Sequence, residues 1–160
     1  DAVVSSASVT VQGKIEIATV AEVQTGTDTA RAVTAEGVAK RPFLIGFAFG
    51  DETTDLSVAT GVLTITMPNF ATTLNDVAFS VVTAPTGSVA TFDLNEAGTT
   101  LLSTKITIDA TEKTSETAVT AVVISDSVIA ANAVLTLDVD GIGSTVAGAG
   151  GKVWLYLQRT

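Results

Sequence analysis

The chain has no cysteine and no histidine among its 160 residues. The first absence removes thiol catalysis, disulfides and zinc–thiolate sites. The second removes the commonest general base and the commonest metal ligand. Basic residues are scarce as well: 8 Lys and Arg stand against 17 Asp and Glu, for a net charge of −9. Phosphate backbones demand clustered Lys and Arg, so nucleic acid is excluded as a partner. Anionic membrane surfaces are excluded on the same ground. No uncharged apolar run approaches the ~20 residues that span a bilayer, so no membrane partner is expected. The opening DAVVSSASVT has no basic stretch followed by an apolar one and is not a signal peptide. Asp1 in place of Met predicts that a Met or a longer leader precedes this numbering.

What is present is threonine, at 27 residues, with 11 serines and abundant Val and Ala. Branched Cβ atoms favour extended backbone. The length suits one domain with an appended arm and can bury a core without metals or disulfides. Residues 1–42 carry five acids and four bases, and residues 43–160 carry twelve and four, so the acidity belongs to the second part. It serves solubility first.

Residues 1–42 read as an arm of a hairpin and short helices. Val9 and Val11 alternate with Thr10 and Gln12, Gly13 interrupts, and Ile15 and Ile17 flank Glu16. Thr19 to Gln24 reads as a short helix, with Thr19 and Glu22 spaced as a capping box and Gly26 at its end. Asp28 is placed to bond nearby backbone N–H groups. Thr34 caps a second turn, Ala35 to Ala39, that Gly37 and the Arg41-Pro42 step should stop. So little apolar surface predicts that the arm needs partner chains.

From residue 43 the period changes to two. Phe43, Ile45, Phe47 and Phe49 face one way, and Leu44, Gly46 and Ala48 the other. An acidic loop follows at Asp51 to Asp55. Further alternations run through Leu63, Ile65 and Met67, through Val77, Phe79 and Val81, and through Ala90, Phe92 and Leu94. Ala84-Pro85-Thr86-Gly87 has β-turn chemistry. Leu102, Thr104, Ile106 and Ile108 share a face, and Lys113 to Glu116 is a polar loop. Ala118 to Ile124 reads as a buried strand, and Asp126 to Asn132 as a helical turn capped by Asp126. Leu135, Leu137 and Val139 form the next strand. A glycine-rich connection, Gly141 to Gly151, leads to Val153, Leu155 and Leu157, with Trp154 and Tyr156 opposite. About eight strands at this spacing predict an all-β fold, an antiparallel jelly-roll-like β-sandwich over 43–160.

Candidate chemistry is thin. Asp138-Val139-Asp140-Gly141 has part of a calcium loop, and Asp93, Asn95 and Glu96 form a second cluster. Calcium needs six to eight oxygen ligands, and the further acids of an EF-hand are missing. Strand-face carboxylates running into a turn are the simpler reading. A glycosidase needs a supported acid pair and aromatic platforms, against one Trp and one Tyr here. A Ser103–Lys105 dyad is conceivable, though period-2 alternation makes the two an exposed polar stripe. The glycine-rich segment lacks the Gly-Lys-Ser/Thr ending of a phosphate loop. No enzyme activity, cofactor or metal is expected. Trp154 and Tyr156 are candidates for subunit contact, because aromatics are enriched in interface cores.

The run Gly13 to Ala39 resembles a small repeat of tailed-bacteriophage tail fibres, collar-type fibre segments and head fibres. The matching residues are Ile17-Ala18-Thr19, Glu22-Val23, Gly26-Thr27-Asp28 and Arg31-Ala32-Val33-Thr34. Where that family often has Pro after the last Thr, this chain has Ala35. The β-region is similar to a C-terminal domain of phage virion proteins. The similar stretches are Thr83 to Gly87, Phe92-Asp93-Leu94-Asn95, Gly98 to Asp109, and Asp138 to Thr145. The resemblance implies a homotrimer on a virion surface. In it, Ile17, Glu22, Val23, Arg31 and Val33 of the arm make subunit contacts for anchoring and trimerisation. The resemblance covers both head and tail proteins; the function expected first is that of a capsid decoration (head-fibre) protein whose partner is the major capsid protein. The alternative is a tail fibre bound to tail components and recognising a host surface glycan or protein. A subunit of an extracellular filament is a third class, in which Val3 to Val11 would add to a neighbour's sheet.

Overall fold

Eleven strands run from Phe43 to Arg159 in the structure, a computed structural model that describes residues 16–160. They are β1 Phe43–Phe49, β2 Ala59–Thr66, β3 Thr72–Ser80, β4 Ala90–Glu96, β5 Thr99–Thr100, β6 Leu102–Thr104, β7 Ile106–Ile108, β8 Val123–Ile124, β9 Val128–Ile129, β10 Val134–Gly141 and β11 Gly151–Arg159. One sheet has the order β1-β11-β3-β9. The other has β2-β10-β4, with β5 and β7 both pairing to β4, and β6 pairs with β8 alone. Along the chain β1, β3, β9 and β11 fall in the first sheet, and β2, β4, β7 and β10 in the second. With the two-residue β5 of the second, five-stranded sheet set aside, the orders β1-β11-β3-β9 and β2-β10-β4-β7 are those of a jelly roll.

The layers are joined by the side chains that the period-2 pattern aims inward. Leu135, Leu137 and Val139 of β10 and Val153, Leu155 and Leu157 of β11 are fully buried. Between the sheets, Phe79 of β3 stacks on Phe92 of β4 with ring centroids 3.8 Å apart.

Several local expectations are corrected. Ala84 to Gly87 is no tight turn: Thr83 and Thr86 make bridges to Ala149 and Val146, so the segment runs extended beside the glycine-rich loop. That loop is packed tight. A Cβ on Gly143 would lie 1.9 Å from the Val146 carbonyl oxygen and 2.7 Å from Thr86 N. Leu101 to Ile108 is broken at Leu101 and Lys105, and its pieces pair with different strands. The apolar run from Ala118 is not a buried strand. Val119 is 93% exposed, and only Val123–Ile124 pairs, with β6. Asp126 to Asn132 is no helical turn but carries β9, whose Val128 and Ile129 pair with Thr73 and Thr72. Branched Cβ atoms and a free sheet edge outweigh the Asp126 cap signal. Asp126 still accepts from the Val128 N–H at 3.2 Å. Lys113 to Glu116 runs into a short 3-10 turn, Ser115–Thr117, whose Ser115 Oγ accepts from the Phe79 N–H at 2.8 Å.

The chain divides at Pro42 into two compact units, the second beginning at Phe43. The first has two helices, α1 Val20–Thr25 and α2 Ala35–Ala39. Thr19 and Glu22 form the capping box: Thr19 N–H donates to Glu22 Oε2 at 2.8 Å, and Glu22 N–H to Thr19 Oγ1 at 3.3 Å. Gly26 closes α1 in the left-handed conformation. Thr34 caps α2, but Gly37 lies inside that helix rather than stopping it. The reason is packing. A Cβ at residue 37 would sit 2.8 Å from Val23 Cγ2, so the helices meet at a residue without a side chain. The strand reading of Val9, Val11 and Ile15 lies outside the described residues.

Candidate interaction surface

Arg31 organises the first unit. Its Nη1 pairs with the Glu22 carboxylate and with Asp28 Oδ2 at 3.0 Å, and its Nε with Glu16 Oε2 at 3.3 Å. Asp28 also accepts the backbone N–H groups of Ala30 at 2.8 Å and Arg31 at 3.1 Å. Thr19, through its N–H and hydroxyl, and then Arg31 hold the Glu22 carboxyl below its ordinary range. The Ala30 N–H, followed by Arg31, does the same for Asp28. The Arg31 guanidinium is pushed up, first by Glu16 and then by Glu22 and Asp28. Residues 16–18 are tied to Ala32 by two backbone bonds of 2.9 Å, Ala18 N–H to Ala32 O and Ala32 N–H to Glu16 O.

Of the five candidates here, Glu22 and Arg31 are therefore used within the unit, and Val23 is buried against Gly37. Ile17 and Val33 are different: they are 62% and 54% exposed. Val38, which the sequence reading passed over, is 56% exposed. Val33 and Val38 line an open groove of about 310 Å³ with Ala18, Val23, Glu22 and Arg41. Among the described residues of this unit only Ala18 and Val23 are buried hydrophobics. Among these described residues more apolar bulk faces out than in.

Trp154 and Tyr156 lie on the outer face of β11. The Trp154 indole covers Gly46, its cross-strand partner, and Nε1 donates to Ser80 Oγ at 3.3 Å. Tyr156 and its partner Leu44 remain exposed.

The acidic positions are already engaged. Asp138 accepts from Gly61 N–H at 2.6 Å and from Asn95 Nδ2 at 3.0 Å. Asp93, on the second sheet's outer face, is buried rather than solvated. It accepts from Thr100 Oγ1 at 2.5 Å and pairs with Lys105 Nζ at 3.1 Å. Lys105 also reaches Asp140 at 2.7 Å. Asp140 and then Asp93 raise the Lys105 ammonium above its usual range. Ser103 donates instead to Val123 O at 3.4 Å, so neither member of the proposed dyad is directed to the other. Glu96 takes the Ala130 N–H at 3.3 Å. Asp51 receives four bonds, from the N–H and hydroxyl of Thr53 and Thr54. Those bonds, the Thr54 hydroxyl first, hold its carboxyl far below the usual range, where it has no use as a base. Among the described residues no three acidic side chains converge as metal ligands.

Comparison with models of known protein families, with curated proteins and with solved structures finds no match to this chain.

Proposed function

We propose that the protein is a non-enzymatic structural component of a tailed-phage virion surface, a homotrimeric decoration or head-fibre protein. The observation that carries this reading is the inverted apolar balance among the described residues of the first unit. Ile17, Val33 and Val38 face solvent from a segment that buries little of its own. Such a segment gains by association, and the phage-fibre resemblance of residues 13–39 says with what: further copies and the major capsid protein. Binding to the assembled shell would stabilise it by mass action. The sandwich supports the reading by its economy, since most of its carboxylates, Asp51, Asp93, Asp138 and Asp140 among them, are spent on backbone, side-chain N–H, hydroxyl and ammonium partners.

The test is electron microscopy of the virions with gold-labelled antibody against residues 43–160. Label spread over heads, with capsids weakened by deletion of the protein, is the expected result. Label confined to tail tips, with loss of adsorption on deletion, would replace decoration by the tail-fibre reading and a host glycan or protein receptor. Virions without label would overturn both and leave the filament subunit.

A further inference from the structure

Strand β1 is the edge of its sheet, and among the described residues its only paired neighbour is β11. Proteins blunt such edges with short strands, bulges, charges or proline. The other edges here follow that rule. β9 and β5 are two residues long, β7 is three, and β2 has a left-handed Gly61 and a register break against β10. β1 has none of these devices. It runs seven residues, FLIGFAF, in unbroken register with β11, without a charge or a proline. Its inward Phe43, Ile45 and Phe47 are only half-buried, whereas the β11 residues paired with them, Leu157, Leu155 and Val153, are fully buried. The core is therefore open along this edge.

The strand is also complementary to itself. A twofold axis at Gly46 sets Phe43 opposite Phe49, Ile45 opposite Phe47, and Leu44 opposite Ala48, so each face meets its like. On a chain of net charge −9, this uncharged edge lets two copies approach without opposed acids. The nearest charge across the strand pair, Lys152 beside Ala48, is held by Glu52 at 3.0 Å.

We propose that β1 is a twofold interface with a second copy of this chain: two β1 strands pair antiparallel about Gly46 and join their sheets into one of eight strands. A twofold contact cannot build a trimer, so on the virion it would link chains of neighbouring trimers. The test is native mass spectrometry and light scattering of the full chain across a concentration series. The buffer is at about 0.15 M salt, where charges more than ~8 Å apart are screened. The wild type should double its basic species as concentration rises. Leu44→Glu with Ala48→Glu opposes like charges at both ends and should weaken doubling about tenfold or more. Leu44→Lys with Ala48→Glu opposes unlike charges in the same register and should retain it. Both positions are exposed, and a thermal melt of each variant checks folding. If the double-Glu chain fails to fold, the wild type and the Lys/Glu chain decide. A trimer that never doubles, or doubling indifferent to the two Glu residues, overturns the interface and leaves the trimer reading standing. Loss of doubling in both variants overturns the Gly46 register. A doubled monomer supports the interface and overturns the trimer.

Discussion

Adding one methyl group at Gly46 tests the outer face of the first sheet. Built onto the backbone, a Cβ there lies 2.4 Å from Trp154 Cζ3 and 2.5 Å from Cε3. Both atoms belong to a rigid ring, so the indole must swing away. Overpacking of this kind costs about 1–3 kcal/mol. Moving the ring also gives up the 3.3 Å bond to Ser80 Oγ, a long bond at the weak end of the usual ~0.5–1.5 kcal/mol. Against this, alanine recovers about 0.5–1 kcal/mol that glycine forfeits in a strand. The steric loss wins, leaving Gly46→Ala less stable by about 1–2 kcal/mol. For a chain of this size that lowers the melting temperature by roughly 2–8 °C. Trp154 is the only tryptophan, so its fluorescence reports on this position alone and should shift to the red as the ring leaves its seat. A variant with unchanged emission and a higher melting temperature would show that the indole does not lie over Gly46.

Phe92→Ala should cost about 3–5 kcal/mol in denaturant unfolding, since it empties a fully buried site and strips Phe79 of its stacking partner; a loss under about 1 kcal/mol would contradict the core described. Lys105→Met leaves the buried Asp93 carboxylate without its cation. Because Lys105 is itself 44% exposed, the expected cost at pH 7 is only about 1–2 kcal/mol. The ammonium's raised pKa means that its contribution is complete below the unfolded value of about 10.4 and fades as pH rises through the folded one. The gap between wild type and variant in denaturant titrations should therefore narrow towards strongly alkaline pH, and a constant gap would remove the ion pair as its cause. In the first unit the depressed Glu22 and Asp28 contribute above their unfolded pKa near ~4, and that support is lost as pH falls through the lower folded values. NMR titration should place both midpoints below ordinary carboxylates, with Arg31→Met moving Glu22 back up. An unmoved Glu22 would deny the pair.

Local signals were legible in the sequence, and pairing was not. The capping box at Thr19 and Glu22, the Asp28 turn and the Thr34 cap depend on residues two or three apart and survive intact. Strands β1, β10 and β11 are long enough to display their period, and every inward residue of β10 and β11 is buried. The region from Leu101 to Ile129 misleads because its strands are two or three residues long, too short for a period to exist. Its branched residues suit extended backbone whether buried or, like Val119, almost wholly exposed. Asp93 and Asn95 sit on the polar side of a clean alternation and are nevertheless buried. Their cover includes Thr100 and Lys105, which the pattern on β4 cannot announce. In the first unit Ile17 and Val33 could be picked out from the resembling motif, whereas Val38 sits in a helix too short to show an apolar face.

The threonine content and the lack of bases are two sides of one arrangement. With 17 carboxylates and 8 Lys and Arg, most acids must find donors other than cations. Hydroxyls and backbone N–H groups fill the need: Thr19 at Glu22, Thr53 and Thr54 at Asp51, Thr100 at Asp93, and Thr117 at Glu112. Such bonds are short-ranged and resist ionic screening, whereas the mutual repulsion carried by a net charge of −9 does not. Salt should therefore act on the repulsion and spare the bonds. Raising sodium chloride from about 0.01 M to about 0.5 M shortens the Debye length from ~30 Å to well under 10 Å. Over that range the melting temperature should rise or hold. Sodium chloride is the suitable salt, because sulfate or phosphate would strengthen apolar burial on its own account. A melting temperature that fell steadily with salt would mean that the few ion pairs around Arg31 and Lys105 outweigh both the hydroxyl–carboxylate bonds and the repulsion.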